Sequence, residues 1–549
     1  MNTTPADVIV VGAGPVGLVA ASELARRGVH VRVIDKRSGP TDESRAIGVH
    51  GRSLDMFDRI GIADELIATG IKTIAFQMYA GLKPLFRVPL GGVDAAFPFM
   101  LTTAQTETER ILREHLQAVG LTVEYGVELV GLSQQDGAVQ LGLRHADGST
   151  EEARAPWVIG TDGASSSVRE LVGTKLEGTF SRWRWIVADV DADHHLDLDV
   201  AHMFLSAEGP VVAMPMRGGR MRFLAQVHTP ATPTRTEPTQ DELQEIIDRR
   251  VGGIRVLRPH RLSYFQIHSA QVPRYRWGRV FLAGDAGHIH SPAGGQGMNT
   301  GMQDAFNLAW KLAAVIHGQA GDTLLDSYNA ERYPVAQQVL RFSGELTRAW
   351  QMEGFPRRIR DVAVGLLSHV GPARRSMANV VEEVKINYEG SPIAVGDRPR
   401  GAKVAAGQYL PHVGDPAVYK QLRTVLGADN LGHTIVTVSS DHPAPAAGGQ
   451  GPTQVLVTRD DTPVAGYDTV IADPRGALAN RLGLTNGGRI VVRPDGYIGA
   501  VTTLDDTTPS PATSPGLPAE AMHPHHPYDV DAQPPFDGRT RHPDRRDFR

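Results

Sequence analysis

Apolar positions open the chain with a continuous run, Val8 to Val11 behind Asp7, as expected of a strand buried on both faces. Glycines interrupt it at Gly12–Gly17, and Val16 to Arg27 carry apolar residues at helical spacing until Gly28 stops the element. Val29 to Ile34 is apolar again, so the pattern predicts a strand–helix–strand unit. Strands and helices continue to about residue 180. From 181 to 268 the pattern is richer in alternation, as in Val211 to Met214 and Arg220 to Val227, and predicts a β-rich segment. From Arg279 a strand, a loop and a long helix through about Ile316 restore the first pattern, and residues 340–390 read as helical. A new unit is expected from near Gly396 to near Val501. Pro443 to Pro452 reads as an exposed loop, and residues 504–549, rich in Pro, Asp and His, as a disordered tail.

Composition narrows the class. A chain of 549 residues suggests roughly two to four domains. Its 41% hydrophobic and 21% charged content is that of a globular protein with ample core. The net charge of −5 comes from 56 basic and 61 acidic residues, well mixed, which gives no argument for nucleic acid or membrane as a partner. No apolar run is long enough to span a bilayer, and the first apolar stretch leads into glycines rather than a cleavage site. The cytoplasm is the expected location. With no cysteine, disulfides, thiolate metal sites, dithiol chemistry and a cysteinyl cofactor link are excluded.

Gly12-Ala13-Gly14-Pro15-Val16-Gly17 is a G-x-G-x-x-G turn placed after a strand and before a helix. Gly12 permits the tight turn, Gly14 lets backbone approach a pyrophosphate, and Gly17 lets helix and strand pack closely. The helix N-terminus offers free N–H groups and a positive dipole end. Asp35, followed by Lys36, stands about 20 residues on, where a carboxylate accepts from a ribose 2′-hydroxyl. Asp35 would repel a 2′-phosphate, so this turn leaves FAD and NAD open.

A second constellation lies far downstream. Arg279 to Leu282 read as a buried strand running into Gly284-Asp285, then Ala286 to Pro292, Gly295, Gly297, Met298 and Asn299 lead into a helix. Asp285 is placed to accept from a ribityl hydroxyl, and the glycines let backbone reach a planar ring. The helix beginning near Met298–Thr300 can point N–H groups at the pyrimidine edge of a flavin, where negative charge collects on reduction.

These motifs together resemble the group A flavoprotein aromatic hydroxylases, the family of para-hydroxybenzoate, phenol and polyketide hydroxylases. The resemblance rests on Gly12–Gly17, on Asp162-Gly163 within Val158 to Arg169, and on Gly284-Asp285, in that order, and covers roughly residues 7–375. Ser44-Arg45-Ala46 resembles the segment whose Arg contacts the flavin side of FAD, and Gln105 the Gln that reaches the ribityl and phosphate region. The resemblance implies non-covalent FAD with NADH or NADPH as a transient co-substrate, the Asp-Gly motif serving both. No second G-x-G-x-x-G follows a strand, consistent with a nicotinamide that visits the flavin from a groove. The implied reaction is hydroxylation of a phenolic or polyketide-type ring by O2 through a flavin C4a-hydroperoxide. Baeyer–Villiger oxygenation of a polycyclic ketone, and a ligand-sequestering flavoprotein without turnover, are the alternatives.

The implied fold is α/β: a doubly wound, glutathione-reductase-like FAD-binding domain (1–180 and 269–390, with a helical extension). A β-rich substrate domain (181–268, with part of 72–102) is inserted into it. Residues 396–503 resemble a thioredoxin-like domain through Ile490 to Tyr497, and 504–549 form the tail. A homodimer is the expected assembly. Phe204, Met214, Pro215 and Phe223 are the expected substrate wall. Phenol hydroxylase-like members carry an acid just upstream of the position matching Arg52, where this chain has Ile47, Gly48 and Val49, leaving His50, Arg217 and His268 as candidate polar pocket groups. Asp285, His288 and His290 are better explained by flavin contact than as a metal cluster, so no metal is expected. His523, His525 and His526 need no role in a disordered tail. Trp183-Arg184-Trp185-Ile186 lacks the spacing and the Pro of the flavin-dependent halogenase motif.

Overall fold

The computed structural model describes residues 5–505 except 92, 228–236, 292–294, 351–382, 384, 440, 442, 444 and 446–450, and excludes the side chains of 180–182, 267 and 346–350. The expected loop at 443–452, the expected helix at 340–390 and the tail at 504–549 thus lie partly or largely outside the described residues, as does Pro292. The described residues fall within one compact unit, Met1–Pro515.

The apolar run Val8–Val11 forms the middle of a six-stranded sheet. Its order is Arg276–Trp277, Val280–Leu282, Trp157–Gly160, Val8–Val11, Val31–Asp35, Val123–Tyr125. All neighbours are parallel except the first pair. Val8–Val11 is fully buried, as its uninterrupted hydrophobicity requires. The helices that bear on the site are α1 (Pro15–Ala25), α2 (Gly51–Arg59), α3 (Gln105–Ala118), α4 (Ser167–Leu171), α5 (Gln240–Arg250), α6 (Gly297–Ile316) and α7 (Asp326–Trp350); Ala63–Thr69, Pro416–Val425 and Ala477–Leu482 are also helical. Helix α1 starts one residue earlier than expected because Pro15 fits the first helical position. The second strand starts at Val31 instead of Val29, since the His30 carbonyl accepts from the Asp7 and Val8 amides and closes the turn.

The second sheet has eight strands, in the order His288–Ile289, Arg255–Gln271, Glu177–Asp193, Arg220–Val227, Val211–Met216, Val200–Leu205, Ala75–Ala80, Lys83–Pro89. Strands from residues 75–89 join those of 177–271 here. The segment read as β-rich also contains a helix, α5, that the alternation hid. Thr239 caps it by accepting from the Glu242 amide, and Leu243, Ile246 and Ile247 pack it onto the sheet. The side chains that meet α5 alternate with those on the opposite face. Ile186, Ala188, Val211, Ala213 and Phe223 lie towards α5, while Trp185, Met203 and Leu224 form a separate cluster.

Residues 434–502 build a five-stranded sheet in the order Thr469–Ala472, Thr453–Thr458, Thr434–Val438, Gly488–Val492, Ile498–Thr502. The first three strands are parallel and the last two antiparallel. The fold is therefore mixed α/β. No helix among the described residues is long and apolar enough to cross a membrane.

A buried ionic knot joins this C-terminal sheet to α6 and α7. Arg493 grips Glu331 with two N–H groups at 2.6 and 2.9 Å and also donates to Asp495. Lys311 donates to Glu331 at 2.6 Å, and Trp310 donates to Asp495 at 3.1 Å. All five side chains are buried or nearly so. Removing one member strands the other charges in low dielectric. Arg493→Met should therefore cost about 3–5 kcal/mol of unfolding free energy. Denaturant unfolding checks this, and an unchanged midpoint would contradict the brace.

Candidate functional site

The glycine turn has the geometry a dinucleotide needs. Gly12 has φ +103°, and a Cβ there would lie 2.6 Å from the Thr161 carbonyl oxygen. A Cβ on Gly17 would collide with the Gly12 carbonyl, so strand and helix meet at bare backbone. A Cβ on Gly14 would meet nothing within 4 Å: the turn leaves open space where a pyrophosphate would approach. Pro15, Val16 and Gly17 form the first turn of α1, whose N-terminus adds its positive end.

Asp35 has a different occupation from the expected one. One oxygen accepts from the Ala13 amide at 2.7 Å and from Arg37 Nη2 at 2.9 Å; the other accepts from Arg37 N and Nε. Burial pushes its carboxyl up, but these donors outweigh burial and hold it below the ordinary range. Its carboxylate ties the glycine turn to the second strand, and a ribose hydroxyl would have to displace the Arg37 fork. Lys36 is exposed beside it.

Asp162 is likewise spent on the protein. It accepts from Ser166 Oγ at 2.5 Å and from the Val168 amide at 3.1 Å, capping α4, while Gly163 turns the chain at φ +81°. The Gln105 side chain accepts from the Ala46 amide and donates to Glu109, fixing the 44–46 loop. The Arg45 side chain is exposed, 3.5 Å from Glu43.

Asp285 contrasts with these. It keeps solvent-accessible surface, yet surrounding protein desolvates it enough to push its carboxyl above the ordinary range, against the pull of His288, Arg45 and Arg169. No hydrogen bond to its carboxylate is recorded among the described residues. An exposed acceptor without a protein donor is what a ribityl hydroxyl requires. Behind it, Asp304 accepts from the Gly284 amide at 3.1 Å, His288 Nε2 at 2.6 Å and Arg332 Nε at 2.7 Å. Burial raises the Asp304 carboxyl, but Arg332 and His288 outweigh it and hold it low. Arg332 also donates to the Thr300 carbonyl at 3.0 Å. Gly295, Gly297, Met298 and Asn299 lead into α6, and Asn299 donates to the Gly48 and Gly295 carbonyls while accepting from the His50 amide.

Five candidates are placed otherwise than expected. The His50 ring is fully buried and bonds the Gly295 carbonyl at 3.1 Å, so it positions the loop rather than lining an open pocket. Arg217 is exposed at a hairpin and donates to the Ala68 carbonyl. Phe204 and Phe223 are core residues packed with α5, and Pro215 shares their side of the sheet through its pairing with Met221. Of the four expected substrate-wall residues, only Met214 lies on the opposite side, where it pairs with Arg222. That side carries half-buried Met78, Met203, Leu224 and Phe265. His268 is half-buried on the long strand Arg255–Gln271.

Sequence reading missed the clamp between the sheet and the 44–46 loop. Arg222, buried, pairs with Asp189 at 2.5 and 2.6 Å and donates to the Ser44 and Arg45 carbonyls at 2.7 and 3.0 Å. Arg261 also donates to the Ser44 carbonyl. The only signal was Arg222 standing among apolar residues. His290 stacks on His288 with centroids 6.4 Å apart, and burial lowers its pKa to about 4. Among the described residues, no group of three or more His, Cys, Asp or Glu could hold a metal ion.

The site can be tested by substitution. Gly14→Val should fold but lose FAD retention, because its side chain enters the open space rather than the protein; Gly17→Val should fail to fold. Asp285→Ala should weaken FAD binding by about 10- to 100-fold, the worth of a charge-assisted hydrogen bond. Flavin absorbance after gel filtration, with circular dichroism as the folding control, decides. Full flavin retention in Gly14→Val would contradict the placement.

Comparison with known proteins agrees with this geometry. Residues 5–343 match the family model described as "FAD binding domain". The chain is similar to a 6-methylpretetramide 4-monooxygenase of Streptomyces rimosus, 35% identical over 93% of this chain and 97% of that protein. It is also similar to pentachlorophenol 4-monooxygenase of Sphingobium chlorophenolicum, 37% identical over 62% of this chain and 64% of that one. Among solved structures, the anhydrotetracycline hydroxylase OxyS from Streptomyces rimosus superposes with a TM-score of 0.70 at 28% identity, covering 92% of this chain and 97% of that one. The chain thus belongs to the FAD-binding-domain family of FAD-dependent aromatic and polyketide monooxygenases.

Proposed function

We propose that this enzyme hydroxylates an electron-rich ring of a polycyclic, polyketide-type phenol, using NADH or NADPH and O2. The observation that carries this reading is the wall on the inner side of the eight-stranded sheet. Met78, Met203, Met214, Leu224 and Phe265 are apolar yet only half-buried, beside the Arg222 clamp that holds the 44–46 loop. Methionine side chains adapt to broad flat surfaces, which suits a fused-ring substrate. Support for its size comes from the relatives matched nearly end to end, which are named for 6-methylpretetramide and anhydrotetracycline.

Bound FAD supplies the redox chemistry, accepting a hydride from the nicotinamide and delivering one oxygen atom of O2 to the ring. The protein's own residues bind, orient and keep the reaction dry. In this reading Gly12, Gly14 and Gly17 admit the pyrophosphate, and Asp285 accepts from the ribityl chain. The α6 N-terminus at Met298–Asn299 would hold the flavin's pyrimidine edge, where its dipole would favour the charge that reduction brings. Asp304, Arg332 and His50 hold those groups in place. The apolar wall excludes water, which would otherwise divert oxygen to peroxide.

The domain reading is part of the proposal. Residues 1–180 and 269–390 form a doubly wound FAD-binding domain, supported by the central parallel strands around Val8–Val11. Residues 181–268 with part of 72–102 form the substrate domain. Residues 396–503 form a thioredoxin-like domain, supported by three parallel strands followed by two antiparallel ones. Without cysteine it exchanges no thiols.

A panel of phenols, naphthoquinones and anthraquinones, tested for stimulated NADH and NADPH oxidation under ¹⁸O2, decides the substrate class. Polycyclic phenols should stimulate oxidation and gain one labelled hydroxyl, located by NMR. A ring-expanded lactone, or stimulation by single-ring phenols alone, would refute the reading. Leu224→Glu should raise KM at least about tenfold, the cost of desolvating a charge against an apolar ligand, with FAD retention unchanged.

A further inference from the structure

One buried acid near the flavin-facing end of α6 has no part in the binding scheme above. Glu383 is 2% exposed and is held at φ +57°, a left-handed conformation that disfavours residues with side chains. Thr300 Oγ1 donates to one carboxylate oxygen at 2.9 Å, and Gln303 Nε2 donates to the other. Thr300 follows Asn299 directly, so the carboxylate sits against the first turns of the helix whose N-terminus faces the flavin in the reading above.

Among the described residues, the charged neighbours come from two segments. His50, which precedes α2, bonds the Gly295 carbonyl and acts electrostatically on Glu383. Arg332 of α7 does the same, while its guanidinium also holds Asp304 of α6 and the Tyr388 hydroxyl. Burial nevertheless outweighs His50, Arg332 and both donors, leaving the carboxyl above its ordinary range.

We propose that Glu383 is a proton acceptor coupled to reduction of the bound flavin. The inference rests on the pyrimidine edge of FAD lying at the α6 N-terminus. The nicotinamide delivers two electrons and one proton as hydride, and the flavin site gains one negative charge. That charge acts on Glu383 through low-dielectric protein, and the carboxylate takes one further proton from solvent. The proton returns to solvent when O2 reoxidises the flavin. Glu383 thus limits the charge accumulated beneath the flavin and sets how reduction depends on pH.

The sign follows from the two states. Below the pH at which Glu383 ionises beside oxidised flavin, the acid is protonated in both states and adds nothing. Above the pH at which it ionises beside reduced flavin, it is charged in both and again adds nothing. Between them reduction takes up a second proton, so the midpoint potential falls about twice as steeply with pH there.

The test is a spectroelectrochemical titration of the FAD-loaded full chain over a pH series. The unsubstituted protein should show the steeper window. Glu383→Gln should abolish it and, within and above the window, shift the midpoint potential positive, because a neutral amide replaces a carboxylate. Thr300→Val removes one donor to the carboxylate and should move the window to higher pH; it decides the matter if Glu383→Gln does not hold FAD. Flavin-loaded Glu383→Gln with the same potential and slope as the unsubstituted protein would overturn the proposal, as would an unmoved window in Thr300→Val. Failure of the underlying FAD placement looks different: Gly14→Val would then retain flavin.

Discussion

Helix α6 sets the constraint on which the rest of the structure depends. It is buried almost throughout, yet Asn299, Thr300, Gln303, Asp304, Asn307 and Lys311 are all polar. Each buried polar group must find a partner or cost several times what a normal hydrogen bond returns. The partners come from every part of the chain. Asn299 bonds the 48–50 segment and Gly295, Asp304 bonds His288, Gly284 and Arg332, and Asn307 and Lys311 bond Glu331. Asp495 adds Asn307 and Trp310.

This arrangement divides labour along α6. Its first turns hold the loop in which Asp285 stands open, and its later turns hold the C-terminal sheet. Glu331 and Arg332, adjacent on α7, serve the two ends: Glu331 receives Arg493, while Arg332 holds Asp304 and the Thr300 carbonyl. The C-terminal sheet is thereby fastened to the helix that carries the loop. On the other side, Arg222 and Arg261 fasten the eight-stranded sheet to the 44–46 loop by main-chain carbonyls, independent of the side chain at position 45.

Carboxylates in this molecule sort by what surrounds them. Asp35, Asp162 and Asp304 are each satisfied by protein donors and act as fasteners. Asp285 is desolvated but keeps its acceptors, so it is available to a ligand. Glu383 accepts from two neutral donors, and burial still holds its carboxyl above the ordinary range. Motif position alone does not separate these roles; the number of donors around each oxygen does.

The sequence by itself determined the elements whose physics is local. A short unbroken apolar run running into a glycine turn reads as a strand buried on both faces, and glycines at 12 and 17 admit backbone contacts that any side chain would block, while Gly14 leaves open space. Hence the first strand, α1 and the placement of Gly284-Asp285 before a long helix were all legible. Tertiary structure decided what depends on partners distant in sequence. Alternation says that Phe204, Phe223 and Met214 lie on faces of strands, but which face meets α5 and which meets the 44–46 loop depends on sheet order. Asp35 reads in sequence as a ribose-binding carboxylate, and only the tertiary structure shows both of its oxygens accepting from Ala13 and Arg37. Glu383, about 80 residues beyond Thr300 in sequence, meets it only because α6 must satisfy its buried polar groups wherever the chain returns.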